Sequence, residues 1–201
     1  MDRNVNEFEA VGRLVATSLI RGGTYRYVMY VQSKRIEFFA AFDLPNDIKP
    51  MDYIYVKGYV NGRTRTNEES GEAYHTQNLR ATSIDRATSE LYNRFGVDGN
   101  VADTFFNVYL AGIVDEIEFD GDNSARFLIR VKPAPEHHSR RERTVSVVLS
   151  KSRFPDSELE VGDAVCMYLS LNISDYENGD GQKRSRQRLN VEEYALISEE
   201  A

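Results

Sequence analysis

Residues Tyr53–Arg65 read Y-I-Y-V-K-G-Y-V-N-G-R-T-R, and their alternation decides the fold. Ile54, Val56 and Val60 fall on one side of a period-two pattern, with Gly58 keeping that side clear. Tyr53, Tyr55, Lys57, Tyr59, Asn61, Arg63 and Arg65 fall on the other. Successive strand side chains point to opposite faces, so this is a strand with an apolar inner side. Its outer side is a row of rings continued by amide and guanidinium groups. Such a face suits a single-stranded nucleic acid, whose bases stack on rings while its phosphates pair with Arg or Lys. Strand propensity alone gives the same pattern, because Tyr favours strands and tolerates half-exposure.

Four more strands surround this one. Phe8–Val15 is the first, with Gly12 inside it as a sign of a bulge or bend. Thr24–Val31 alternates Tyr25, Tyr27, Met29 and Val31 against Arg26, Val28 and Tyr30. Arg35–Phe42 is a third strand whose faces stay ambiguous, since Phe38 and Phe39 are both large. After Tyr53–Arg65, the turn residues Thr66–Gly71 lead back into Tyr74–Ile84. Five short strands without a long helix predict an all-β barrel. Residues 86–103 are rich in Asn, Gly and Asp and read as a linker, with Ala87–Phe95 able to form a helical turn or two. Strands then resume at Phe105–Ile113, Ala125–Val131, Arg143–Leu149, Ala164–Ile173 and Arg184–Ile197.

The second set repeats the first. Gly12, Arg26-Tyr27 and Val31 recur at an offset of 100 as Gly112, Arg126-Phe127 and Val131. Phe38 recurs as Val147, Asp52 as Asp163 and Gly71 as Gly181, after a loop about nine residues longer in the second copy. A bend glycine, an Arg-aromatic pair, an aspartate before a strand and a hairpin glycine thus return in order.

Composition separates the copies. The formal charge is −7, which does not announce a nucleic-acid binder. Residues 1–85 hold 11 Lys+Arg against 11 Asp+Glu, whereas residues 104–201 hold 12 against 18. The lone Cys166 excludes an intrachain disulfide framework. Met1–Asn4 carries no apolar leader, and no run reaches membrane-spanning length, so a soluble cytoplasmic protein is expected. His137-His138 lacks metal-ligand spacing. The acidic run Asp115–Asp120 has no nucleophile or metal ligands beside it, so neither an enzyme nor a cofactor is expected.

The chain resembles the bacterial and phage single-stranded-DNA-binding proteins of the OB-fold type. The resemblance rests on Asn6…Gly12-Arg13-Leu14-Val15 and Asn107…Gly112-Ile113-Val114, and on Arg26-Tyr27 and Arg126-Phe127. It rests also on Ile48–Gly58 and Leu159–Val165, which are similar to the family's lysine-glycine-aspartate segment, and on the hairpin glycines Gly71 and Gly181. It covers nearly the whole chain except the linker. It implies two tandem five-stranded OB-fold barrels, 1–85 and 104–201, joined by 86–103. It implies sequence-tolerant binding of single-stranded DNA in replication, recombination or repair, and base stacking on the second, third and fourth strands. Carried over by position, the stackers are Tyr30, Phe38, Phe42 and Tyr59, with Tyr55 beside them. Arg63 and Arg65 stand where the family often has Trp, a residue this chain lacks.

The remaining candidates keep two readings each. Arg26 fits a phosphate contact or a structural ion pair, and Lys57 joins the cations of the fourth strand. Tyr53 and Tyr55 fit stacking or packing against the linker or a partner subunit. Lys183, Arg184, Arg186 and Arg188 fit a solvated hairpin or a nucleic-acid contact, and Ser139–Arg143 is a second basic cluster. The second copy replaces Tyr59, Arg63 and Arg65 with Ser170, Asn172 and Ser174 or their neighbours. It is therefore the candidate for contact with replication or recombination proteins, or for pairing chains into a homodimer. A non-enzymatic scaffold recruiting replication or conjugation proteins, and an RNA binder, remain the alternatives.

Overall fold

The alternating segments become strands, and most run longer than the alternation alone suggests. The computed structural model describes residues 5–68, 70–71, 73–94, 104–120, 123–132, 142–155, 158–177, 181 and 183–197. The first copy holds β1 (Asn6–Ile20), β2 (Thr24–Val31), β3 (Lys34–Ala40), β4 (Tyr53–Thr66) and β5 (Ala73–Arg86). A short helix α1 (Ser89–Arg94) follows. The second holds β6 (Phe105–Asp120), β7 (Ser124–Val131), β8 (Arg143–Ser150), β9 (Ala164–Glu177) and β10 (Lys183–Leu196). The acidic run 115–120 is the end of β6.

The first five strands close on themselves. The early half of β1 pairs with β4 from Phe8↔Gly58 to Arg13↔Tyr53, and its later half pairs with β2 from Arg13↔Tyr30 to Ile20↔Thr24. β2 pairs antiparallel with β3, β3 pairs parallel with β5 at Phe38↔Leu79, and β5 neighbours β4. Alternation sends Phe8, Ala10, Leu14, Tyr27, Met29, Ile36, Phe38, Ile54, Val56 and Val60 inward, where all are buried. Each such Val, Leu, Ile, Phe or Met side chain contributes roughly 1.5–3 kcal/mol on burial. The Tyr27 phenol donates to the Phe42 carbonyl at 2.9 Å, and burial pushes its pKa up to about 12, so it stays a neutral donor.

The second set repeats this ring strand for strand. β6 pairs with β7 and β9, β7 with β8, β8 parallel with β10 at Val147↔Leu189, and β10 with β9. The β1 bulge between Leu14 and Ala16 returns in β6 between Val114 and Glu116. The bend glycines have a steric cause. A Cβ on Gly12 would lie 2.5 Å from the Tyr30 carbonyl oxygen, and one on Gly112 would lie 2.5 Å from that of Arg130. Both are backbone atoms of a paired strand and cannot step aside.

The turn before the fourth strand of each copy is also shared. The Asp52 carboxylate accepts from the Lys49 amide at 3.0 Å, and that of Asp163 accepts from the Glu160 amide at 2.8 Å. The next-to-last turn residue donates back to the first strand at 2.8 Å in both, Met51 to the Leu14 carbonyl and Gly162 to that of Val114. This residue sits at φ 102° in Gly162 and φ 80° in Met51. A side chain there is held in the left-handed region, at a cost of order 1–3 kcal/mol.

Two compact units emerge from the contacts: Glu7–Val60 with Asn78–Asn107, and Asn61–Gln77 with Val108 onward. In the second unit the hairpin arm 61–77 lies on β8. The Gln77 side-chain amide donates to the Ser146 carbonyl at 3.2 Å and accepts from its amide at 2.9 Å. Arg143 Nε donates to Asn61 Oδ1 at 3.0 Å. A Cβ on Gly62 would overlap the Thr144 carbonyl oxygen at 1.8 Å. Both ring nitrogens of His75 are buried on this arm, and among the described residues neither has a partner within hydrogen-bond geometry. Burial is the main force holding its pKa below the usual 6.5. The Arg126 charge adds to it, while Gln77 and Glu116 oppose it.

Two outcomes follow from these strained and buried groups. Met51→Gly relieves the left-handed side chain and should raise unfolding stability by about 1 kcal/mol, read as a higher urea midpoint. A lower midpoint would show that Met51 is not strained. His75 has a depressed folded-state pKa, so its contribution is intact above pH 6.5 and is lost as pH falls below that. Chemical unfolding at pH 7.5 and pH 5.5 should show this loss, at most about 1.4 kcal/mol per pH unit for one proton. His75→Gln should flatten the profile; parallel profiles would contradict the assignment.

Candidate nucleic-acid interface

The outer face of β2, β3 and β5 gathers rings and cations by strand register. Arg26 stands opposite Phe39, and Phe39 is in turn paired with Arg80. Val28 stands opposite Glu37 and Tyr30 opposite Arg35. Since inward positions alternate with outward ones, Arg26, Val28, Tyr30, Arg35, Glu37, Phe39 and Arg80 share one face. The Arg80 guanidinium lies over the Phe39 ring, 5.4 Å from its centroid. This cation–ring stack leaves both Phe39 and Arg80 half-buried. Tyr30 is 39% exposed at the far edge of the face.

Glu37 governs the charge on this surface. Arg26 donates to both of its oxygens, from Nε at 2.9 Å and from Nη2 at 2.5 Å. Arg35 Nη2 lies 3.1 Å from the same carboxylate. The Arg26 hydrogen bond, more than its charge or that of Arg35, holds the Glu37 carboxyl below its usual range against the effect of burial. It also raises the Arg26 guanidinium, which stays cationic at any working pH.

Of the residues expected to bind, Tyr30 and Arg26 lie on this face, Arg26 as the ion pair just described. Phe38 does not. It has 0% exposure, and its ring stacks on Tyr27 with centroids 5.3 Å apart, so it belongs to the core. The outward ring of β3 is Phe39. The sequence held the signal: Ile36, Phe38 and Ala40 form an apolar set, while the alternate set 35, 37, 39 begins with Arg and Glu. Arg80 was missed because its place beside Phe39 depends on a parallel pairing between distant strands. Phe42 is half-buried just beyond β3, and its carbonyl is the acceptor for Tyr27.

The rings of β4 are less open than their alternation suggests. Tyr55 is 3% exposed and packs with Val11 under Ala87, Leu91 of α1 and Phe105. Its hydroxyl donates to Glu9 Oε1 at 2.7 Å. Lys57 Nζ lies 3.4 Å from the same Glu9 oxygen and 5.5 Å from the Tyr55 centroid. Tyr55 thus lies within the packing on the β1–β4 face, whereas the Lys57 side chain is 41% exposed and paired with Glu9. Tyr59 is half-buried on β4. Arg63 and Arg65 are exposed on the 61–77 arm, where Arg65 lines an open hollow with Thr66, Asn67, Glu68 and Tyr74. Lys183, Arg184 and Arg186 stand on β10 opposite Glu177, Tyr176 and Ser174; their side chains lie outside the described residues. Arg188 is half-buried opposite Asn172.

The second copy lacks the stack. Val148 and Asn190, paired on β8 and β10, take the places of Phe39 and Arg80. Two outward arginines of its β7 meet carboxylates: Arg126 pairs with Glu118, and Arg130 with Asp115 at 3.1 Å.

Two five-stranded rings of one topology define a tandem OB fold, and solved structures share it along the whole chain. A deletion variant of the single-stranded DNA binding protein from Thermus aquaticus has TM-score 0.59 at 16% identity, covering 100% of this chain and 98% of that one. The wild-type Thermus aquaticus protein has TM-score 0.58 at 17% identity, covering 99% and 96%. No protein-family model and no curated protein matches the sequence. A likeness at this identity establishes the fold.

The covered position of Tyr55 can be separated from binding. Tyr55→Phe loses a hydrogen bond to a carboxylate and should cost roughly 1.5–3 kcal/mol in unfolding stability. Its nucleic-acid titration should overlay the parent's. A specific loss of binding with unchanged stability would return Tyr55 to the interface.

Proposed function

We propose that the chain binds single-stranded DNA without sequence preference and protects it in replication, recombination or repair. The observation that carries this is the Phe39–Arg80 stack on the outer face of β2, β3 and β5, with Tyr30 at its edge. A ring offers a stacking surface to any base, and the guanidinium above it pairs with a phosphate or stacks in its own right. The second copy keeps the barrel and lacks the pair, so the fold does not require it. The shared fold with proteins described as single-stranded DNA binding adds support.

In this proposal the barrel within 1–85 carries the main interface. The barrel within 104–201 contacts replication or recombination proteins, pairs two chains as a homodimer, or extends the binding path through Arg188 and its neighbours. The activity is binding rather than catalysis, in the cytoplasm. Among the described residues, no helix is long and apolar enough to cross a membrane. The many ion-paired arginines favour a second reading, a scaffold that recruits proteins and leaves nucleic acid alone.

Fluorescence anisotropy with labelled dT and rU oligomers at two salt concentrations decides between them. Affinity for dT should fall as salt rises, through counterion release. Phe39→Ala should weaken binding by about 5- to 100-fold, the usual worth of one stacked base. Absence of salt-sensitive binding to either oligomer would favour the scaffold, and preference for rU would make the ligand RNA. Phe39→Ala binding as well as the parent would move the interface off this face.

A further inference from the structure

Glu37 stands at the centre of the face described above. Its neighbours along and across the strands are Arg35, Phe39 and Val28, and Arg26 reaches it from the next position on β2. Among positions 26, 28, 30, 35, 37, 39, 78, 80 and 82 it is the single carboxylate. A carboxylate in the middle of a surface suited to a polyanion calls for a reason.

The fold does not supply one. The repeat places Ser146 where the first copy has Glu37, in the same barrel with the same register. The second copy still neutralises its equivalent arginine, but from the other neighbour: Glu118 on β6 stands opposite Arg126. In the first copy that place on β1 is Ser18, opposite Arg26. The partner of this arginine therefore stands on the first strand of the second copy and on the third strand of the first copy, in the middle of the outer face. There it engages two arginines instead of one, Arg26 through a two-point clamp and Arg35 at 3.1 Å.

A guanidinium presents the same fork to a carboxylate and to a phosphate. The Arg26 and Glu37 side chains keep 35% and 31% of their surface exposed, so the pair is open to exchange. Arg80 differs: it rests on a ring and makes no ion pair among the described residues.

Taking the proposed function as its basis, we propose that Glu37 is a built-in competitor for the phosphate backbone. It occupies Arg26 and Arg35, and a bound strand takes over these guanidiniums by exchanging phosphate for carboxylate. Arg80 and Phe39 make the first contact, and Arg26 and Arg35 join as Glu37 is displaced. The exchange restrains affinity and keeps the strand releasable, because the carboxylate recloses on the arginines as the phosphate leaves.

Glu37→Gln keeps the shape of the side chain and removes its charge. In anisotropy titrations with a fluorescein-labelled dT oligomer, this variant should bind about 3- to 30-fold more tightly at low salt. Its log–log salt slope should steepen by about 0.7 for each phosphate newly paired. The double variant Arg26→Gln/Glu37→Gln should lose the share of that gain that passes through Arg26 and keep only the share of Arg35. Circular dichroism and the unfolding midpoint establish that each variant is folded. If the parent binds dT but Glu37→Gln binds equally or less well, the competitor role is overturned and the proposed function stands. If the double variant keeps the full gain, the effect is general charge removal and the role is again overturned. If neither the parent nor Glu37→Gln binds dT, both proposals fall.

Discussion

Each barrel depends on one strand serving two neighbours. β1 pairs with β4 through Arg13 and with β2 from Arg13 onward, and β6 hands over from β9 to β7 in the same place. At that crossing the backbones come so close that a single Cβ would strike a carbonyl oxygen, so Gly12 and Gly112 are obligatory. The bulge one turn of the pleat later redirects the strand, and the Asp52 and Asp163 turns tie the incoming fourth strand to it. Outward of the crossing the copies share the arginine at 26 and 126 but differ in the ring and cation of the Phe39–Arg80 stack.

That contrast explains what was legible in the sequence. Strand periodicity and the offset of 100 revealed the all-β class, because the inner face must be apolar and the crossing must carry glycine. β2 was readable to the residue, since its turn Arg21-Gly22-Gly23 and its alternation both mark its limits. The strands β1, β6 and β9 run on past their apolar portions, and there the pattern gives no sign of pairing. The site was harder to read. Phe38 and Phe39 are chemically alike, and only the inward set Ile36, Phe38, Ala40 tells them apart. Tyr55 looked open because the residues covering it, Leu91 and Phe105, come from α1 and the start of β6, outside the first set of strands. Arg80 needed a parallel pairing that no local pattern announces.

The charges add a second layer. The chain is acidic as a whole, yet the β2–β3–β5 face of its first barrel is mainly basic and aromatic. Six arginines among the described residues carry carboxylate partners, and surface pairs of this kind contribute little to stability, usually below about 1 kcal/mol each. Their larger effect is on what else can approach. Arg26, Arg126, Arg130 and Arg153 all carry carboxylate partners, which lowers the attraction of the surface for any polyanion. The stacked pair Phe39–Arg80 stands apart from this pattern, and it marks where a strand would first be held.

Photo-crosslinking of a dT oligomer carrying photoreactive thymine analogues, followed by mass spectrometry of the attached peptides, tests this placement most directly. The account predicts crosslinks within β2 and β3 of the first barrel, at Tyr30 and Phe39 above all. Crosslinks confined to β8 or β10 of the second barrel, or to the 61–77 arm, would contradict it.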